Sequence, residues 1–402
     1  MASHSAIDRV HALNTSGVFT VDDITYMSSK NLVNPVTGIL GFGVNTNYQI
    51  TPNGPENAPD PLNKPAMVVA SVPKPQLACG ASSTVSASTS INIMIQTDGT
   101  LWTWSGTNNA GIGRTVTTYA FNVPGQVNTD TNWVKASGGD SWAAAVKSDG
   151  TLWTWGLGTT YRTGQNSTAG LTVPTKIGTD TNWTDVCCGA TWGYAVKSDG
   201  SIWSWGNNSG AATGQGATTG QTMVPTRIGS ASDWSGCKIS PANSTSPLTH
   251  VIKSNGELWA WGSNGNQLIG SAQGVTVTAP VRIGTDTDWS KVVAGLFCTI
   301  ALKTNGDIYY AGLPGYAGLP GTTTQVFTKT TALPACRDIT TVNRSALFIG
   351  TNNILYGGGE PSALCNTPPS VTSTTQIPVY AISPVPSTAS LTAASGVALI
   401  YY

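Results

Sequence analysis

The chain has 402 residues, of which only 9% are charged, and 19 basic side chains balance 19 acidic ones. A balanced charge argues against a nucleic-acid surface, because phosphate binding needs a concentration of Lys and Arg that no segment provides. Tryptophan occurs 14 times and 40% of residues are hydrophobic, enough to bury a large core and to exclude a disordered chain.

Residues 1–34 match nothing later in the chain. The stretch is polar apart from Val18-Phe19-Thr20-Val21 and reads as an arm, lying on the main body or docking on a neighbour. Met1 to Val10 lacks the apolar stretch of a secretory signal. No apolar run reaches the roughly 18 residues of a membrane span, so none is expected.

From residue 35 onward the chain repeats itself. A worn copy, Val36 to Asn45, is followed by Thr97-Asp98-Gly99-Thr100-Leu101-Trp102-Thr103-Trp104 and then by Ser148-Asp149-Gly150-Thr151-Leu152-Trp153-Thr154-Trp155-Gly156. Further copies begin at Ser198, Ser254 and Thr304, and the turn glycines 99, 150, 200, 256 and 306 are spaced by 51, 50, 56 and 50 residues. Asp-Gly or Asn-Gly predicts a two-residue hairpin turn, and the alternation after it predicts a strand. That strand carries bulk on both faces, as radially packed blades require. A second signature, Val173-Pro174 through Trp183, returns at Val224 to Trp234 and at Ala279 to Trp289, so one period holds about four strands.

Beyond Gly312 the copies decay, with Asn352 to Gly359 as a degenerate member. The last residues, Ala394 to Tyr402, resemble the run that precedes each turn, yet no turn follows them. We therefore expect an all-β, seven-bladed β-propeller over residues 35–402, closed by pairing of the N- and C-terminal strands. Three sets of tryptophans occupy equivalent positions and read as blade packing. They are Trp102, Trp153, Trp203 and Trp259; Trp104, Trp155, Trp205 and Trp261; and Trp133, Trp183, Trp234 and Trp289.

The order of these parts, an apolar-Gly run, Ala-Val/Leu-Lys-Ser-Asp-Gly, Leu-Trp-x-Trp-Gly, a polar loop and Val-Pro-x-x-Ile, resembles the regulator of chromosome condensation repeat. The resemblance covers roughly residues 35–402 and implies seven blades of about fifty residues each. The His that the family places before the turn is replaced by Trp142, Trp192 and Phe297. The nucleotide-exchange and chromatin role of the eukaryotic member is not carried over, since Met1 to Ile24 has one arginine, Arg9, and two histidines where a basic tail would be needed.

No catalytic, cofactor-binding or metal site is expected, and the protein reads as no enzyme. His4, His11 and His250 are scattered. Asp98, Asp149 and Asp199 sit in turns, and Asp130, Asp180 and Asp286 recur in Thr-Asp-Thr, where turn capping explains them. Asp140 has no counterpart in the other repeats and no partner in sequence. The seven cysteines, Cys79, Cys187, Cys188, Cys237, Cys298, Cys336 and Cys365, are odd in number, form no C-x-x-C pair and read as core thiols. A propeller glycosidase is the enzymatic alternative, but the arginines are spread along the chain and the turn lacks that family's spacing.

What remains is a binding or assembly module. The expected function is that of a bacteriophage virion component, a tail, fibre, baseplate or decoration protein made in the host cytoplasm and built into a symmetric assembly. Its arm would contact other virion proteins, and its propeller would face a host-surface protein or glycan. The alternative is a bacterial surface or cytoplasmic scaffold propeller that binds a protein. Loops that differ between repeats are the candidate binding elements: 45–65, 107–121, 158–172, 207–222, 263–278 and 241–247. Tyr48, Tyr119, Tyr161 and Arg162 are the candidate contact residues within them.

Overall fold

The computed structural model describes residues 39–43, 62–67, 75–76, 91–105, 111–115, 125–242, 247–342, 344–359, 377–384, 390–394 and 397–401. Among them the strands form seven antiparallel sheets of four strands each. In chain order, sheet 1 spans 75–126, sheet 2 133–176, sheet 3 183–227, sheet 4 238–282, sheet 5 289–329 and sheet 6 336–384. Sheet 7 draws Ser390–Ala394 and Val397–Tyr401 from one end of the chain and Ile39–Gly43 and Leu62–Met67 from the other. In it Ile39 lies opposite Tyr401 and Gly43 opposite Val397. Described contacts join each sheet to the next from sheet 1 through sheet 7. The arm, residues 1–34, lies outside the described residues.

The turn that recurs is built differently from the expected two-residue type. In sheet 2, the Lys147 N–H donates to the Thr151 carbonyl at 3.1 Å and the Gly150 N–H to the Lys147 carbonyl at 2.9 Å, leaving three residues in the loop. Only the glycine is left-handed, with φ of 74°. This is a type I turn followed by one left-handed residue, so Asp149 needs no positive φ. Its carboxylate instead caps the loop, accepting from the Thr151 N–H at 3.0 Å and the Thr151 hydroxyl at 2.6 Å. These bonds, the hydroxyl first, hold the carboxyl below its ordinary range. The Thr151 hydroxyl in turn accepts from Trp153 Nε1 at 2.7 Å. Asp98, Thr100 and Trp102, and Asp199, Ser201 and Trp203, repeat the relay. Glycine is required for a second reason, since a Cβ at Gly150 would stand 2.0 Å from the Thr181 carbonyl oxygen in the connector to the next sheet.

The Thr-Asp-Thr aspartates are not simple turn caps. Asp130 accepts from Lys147 Nζ at 2.7 Å, and that ammonium lies 4.6 Å from the Trp133 ring centre and 4.2 Å from that of Trp153. Lys197 sits likewise between Trp183 and Trp203 with Asp180, and Lys253 between Trp234 and Trp259 with Asp233. Lys303 lies between Trp289 and Tyr309 with Asp286 and Asp288. A ring face attracts a cation, and partial burial strengthens the attraction to about 2 kcal/mol. In sheets 2, 3 and 5 each sandwich thus fastens three strands of its own sheet to the connector that enters it, and in sheet 4 Trp234 stands in the connector itself.

The other indoles work between sheets. Trp155 Nε1 donates to the Gly111 carbonyl at 2.7 Å and Trp205 Nε1 to the Arg162 carbonyl at 2.8 Å, each reaching back to the preceding repeat's loop. Both tryptophans are fully buried. The outermost strands, Leu171–Lys176, Gln221–Arg227 and Thr276–Arg282, carry Pro174, Pro225 and Pro280, and their pairing breaks register beside these residues. A proline without an N–H blunts an open sheet edge, so the Val-Pro signature marks where pairing stops.

Candidate interaction surface

Of the candidate contact residues, Tyr48 and Tyr119 lie outside the described residues, and the structure brings Tyr161 and Arg162 together in one loop. Tyr161 is half-buried and left-handed, with φ of 56°. Arg162 is buried: its Nε donates to the Thr159 carbonyl at 2.9 Å and a terminal nitrogen to the Asp140 carbonyl at 2.6 Å. Desolvation pulls its guanidinium below the usual arginine range, opposed by Asp140. Arg162 therefore braces the loop from within, and Asp140, unmatched in sequence, supplies the carbonyl that receives it.

The loops themselves are fixed to their neighbours. Asn166 N–H donates to the Met223 carbonyl, Gly216 N–H to that of Thr278, and Phe327 N–H to that of Gly270, so each loop is pinned to the outer strand of the next sheet. Gln165 and Gln215 hold the same loops from below through side-chain bonds to Thr175 and Thr226 carbonyls. On this rigid frame an exposed residue recurs at one register position of successive outer strands: Val173, Val224, Ala279 and Val326. The three valines are 50%, 45% and 50% exposed, and Met223 and Val275 are exposed as well.

A second feature escaped sequence reasoning. The first strands of neighbouring sheets touch, and one register position on them is charged in five successive sheets. It holds Lys135, Asp185, Lys238, Lys291 and Asp338, which lie opposite Val146, Val196, Ile252, Leu302 and Ile349. Lys291 donates to Asp338 at 2.6 Å and to the Leu391 carbonyl at 3.0 Å, while the Leu391 N–H donates to Asp338 at 2.6 Å, locking sheets 5, 6 and 7 together. Lys135 and Asp185 face each other at 3.9 Å, and burial pushes the Asp185 carboxyl up while Lys135 opposes the shift. The signal was present in the chain as a charge two residues after Trp133, Trp183 and Trp289.

Chemistry remains sparse. Among the described residues no group of three His, Cys, Asp or Glu side chains could hold a metal. His250 is buried, its Nε2 lies 3.2 Å from the Ile269 carbonyl, and desolvation lowers its pKa to about 4. Cys187, Cys188, Cys237, Cys298 and Cys336 are free thiols. Burial pushes Cys187, Cys237, Cys298 and Cys336 up to about 12, far from a reactive thiolate. No described helix is long and apolar enough to cross a membrane.

Sheets repeating around buried tryptophans, with pinned loops on the outside, define a β-propeller-type repeat protein. Residues 149–196 match the regulator of chromosome condensation (RCC1) repeat. The fold is similar to that of Prp20p from Saccharomyces cerevisiae, in a study of its binding to Gsp1p and histones, with a TM-score of 0.71, 16% identity and 91% of each chain covered. Yeast RCC1 (Prp20) bound to Kap60 gives a TM-score of 0.69 at 15% identity, covering 91% of this chain and 88% of the other. Human WBSCR16 gives 0.67 at 14% identity, covering 91% and 98%. No curated protein sequence matches the chain. The chain has the RCC1-like β-propeller fold.

Proposed function

We propose that the protein is a non-enzymatic binding module: a seven-bladed ring, closed through sheet 7, that engages a protein partner along its outer-strand belt. One observation carries this reading. An exposed aliphatic residue recurs at a single register position on four successive outer strands, three of them valine, and backbone hydrogen bonds join the neighbouring loops to these strands. Single exposed valines are ordinary, but their periodic placement gives a partner a regular apolar footing. The outer strands carry Lys176, Arg227, Arg282 and Lys329 beside this belt, and of these Arg282 pairs with Glu257 and Lys329 with Asp307. Yeast RCC1 bound to Kap60, and Prp20p studied for its binding to Gsp1p and histones, fit a protein-binding role for such a scaffold.

Within that role we favour a bacteriophage virion component docked through residues 1–34, on the strength of the low charge, the Thr-, Asn- and Gly-rich composition and the unmatched arm. A bacterial scaffold or surface propeller is the second reading. Mass spectrometry of purified phage particles is expected to find the chain, and deletion of residues 1–30 is expected to abolish incorporation. Absence from particles sinks the virion reading, and unchanged incorporation of the shortened chain sinks the docking arm. The belt is tested separately by Val224→Asp with Val326→Asp, which are expected to leave unfolding unchanged and weaken partner binding at least tenfold.

A further inference from the structure

Sheet 4 breaks the symmetry of the array at the charged register position. In sheets 2, 3 and 5 the charged residue follows the tryptophan by two places, and the first strand begins at that tryptophan. In sheet 4 Ser235 and Gly236 are inserted, and the strand begins only at Lys238. The insertion forms a turn, and a cleft of about 440 Å³ opens beside it between sheets 4 and 5. Lys238, Ser254, Asn255, Thr287 and Thr304 line this cleft, with Trp289 as an apolar wall.

The charge at this position is also unlike that of its neighbours. Lys135 has Asp185, and Lys291 has Asp338. Lys238 meets the Ser290 carbonyl oxygen at 2.7 Å, and among the described ion pairs it has no carboxylate. The acids next to lining residues in the chain are already occupied, Asp288 by Lys303 and Glu257 by Arg282, and the lining Lys253 is held by Asp233. A cation without a counter-ion, ringed by hydroxyls and an amide that can donate, suits an oxyanion. Sheets 2, 3 and 5 form their four strands without the insertion.

We propose that this cleft binds a small anion bearing a carboxylate or phosphate group, with Lys238 as its counter-charge and the Ser254, Thr287 and Thr304 hydroxyls as donors. None of the exposed residues of the outer-strand belt lines the cleft. Calorimetric titration of the full chain with inorganic phosphate and, separately, with succinate at constant ionic strength tests it and distinguishes the two sources. Saturable binding of at least one, weakened tenfold or more in Lys238→Gln and unchanged in Lys135→Gln, is the expected result. Circular dichroism of each variant establishes that the fold is retained. No saturable binding of either anion, or equal binding by Lys238→Gln and the parent chain, overturns the proposal, as does an equal loss in both variants.

Discussion

Sheets 3 and 6 share a strand order and a register, yet they are held by different side chains. Where sheet 3 has Ile202-Trp203-Ser204-Trp205-Gly206, sheet 6 has Leu355-Tyr356-Gly357-Gly358-Gly359. Trp183 and Lys197 of the sandwich become Cys336 and Gly350, and the turn glycine Gly200 becomes Asn353, still left-handed at φ of 60°. The preceding repeat's loop touches both sheets, Thr159–Tyr161 on sheet 3 and Pro314–Ala317 on sheet 6, but in sheet 6 the place of Trp205 is taken by Gly358. A Cβ at Gly359 would lie 2.6 Å from the Tyr316 carbonyl oxygen. The Tyr316 ring stacks on Phe297 at 4.6 Å with the Arg344 guanidinium over both. The large aromatic wedge at this junction is thus an indole of sheet 3's own strand in one place and a loop tyrosine in the other, and the ion pair Lys291–Asp338 also joins sheets 5 and 6.

The difference predicts unequal costs of removing the wedge. Trp205→Ala empties a fully buried site and leaves the Arg162 carbonyl without its donor, and is expected to cost about 3–5 kcal/mol in urea unfolding. Tyr316→Ala removes a half-buried ring from a loop and is expected to cost about 1–2 kcal/mol. Equal losses would mean that the loop has become as central to sheet 6 as the indole is to sheet 3.

The core positions differ in titration too. His250 of sheet 4 occupies the place of Tyr194 in sheet 3 and Leu347 in sheet 6. Its folded pKa of about 4 lies below the unfolded value near 6.5, so between these values the unfolded chain binds a proton that the folded chain refuses. Stability is full above that window, falls as pH drops through it by on the order of 3 kcal/mol, and changes no further for this group below it. His250→Leu, which copies sheet 6, is expected to flatten thermal unfolding midpoints from neutral pH down to the carboxylate range. A slope that persists in the variant would place the titrating group elsewhere.

Much of this architecture was legible because each repeat reports on the others. Five Asp-Gly or Asn-Gly turns in register and three tryptophan sets gave the strands, their order and the outer Val-Pro edge. The turn type was misjudged because Asp-Gly fits two loop lengths, and only the bond from Gly150 to Lys147 decides between them. The Lys sandwiches were missed because their members, Asp130, Lys147, Trp133 and Trp153, are separated in sequence and meet only when three strands align. Arg162 illustrates the limit for sites: an arginine in a variable loop looks available until its carbonyl partners are seen. The cleft beside Lys238 left a trace in the spacing of 56 residues, whose meaning required the neighbouring ion pairs.

The smallest effect separates ring from carboxylate within the sandwiches that sheet 6 lacks. Lys197 stands 4.6 and 4.0 Å from two tryptophan rings and has one aspartate, while Lys303 stands 5.0 and 5.1 Å from a tryptophan and a tyrosine and has two. Methionine keeps the packing and adds a sulfur–aromatic contact, so Lys197→Met is expected to cost only about 1 kcal/mol. Lys303→Met is expected to cost less, because its rings are farther away and tyrosine attracts a cation more weakly than tryptophan. Asp180→Asn should change stability least, since that carboxylate is half-exposed and a solvated ion pair contributes under about 1 kcal/mol. The opposite order, with Lys303→Met the costlier, would assign the hold to the aspartates and make the repeated aromatics a packing device alone.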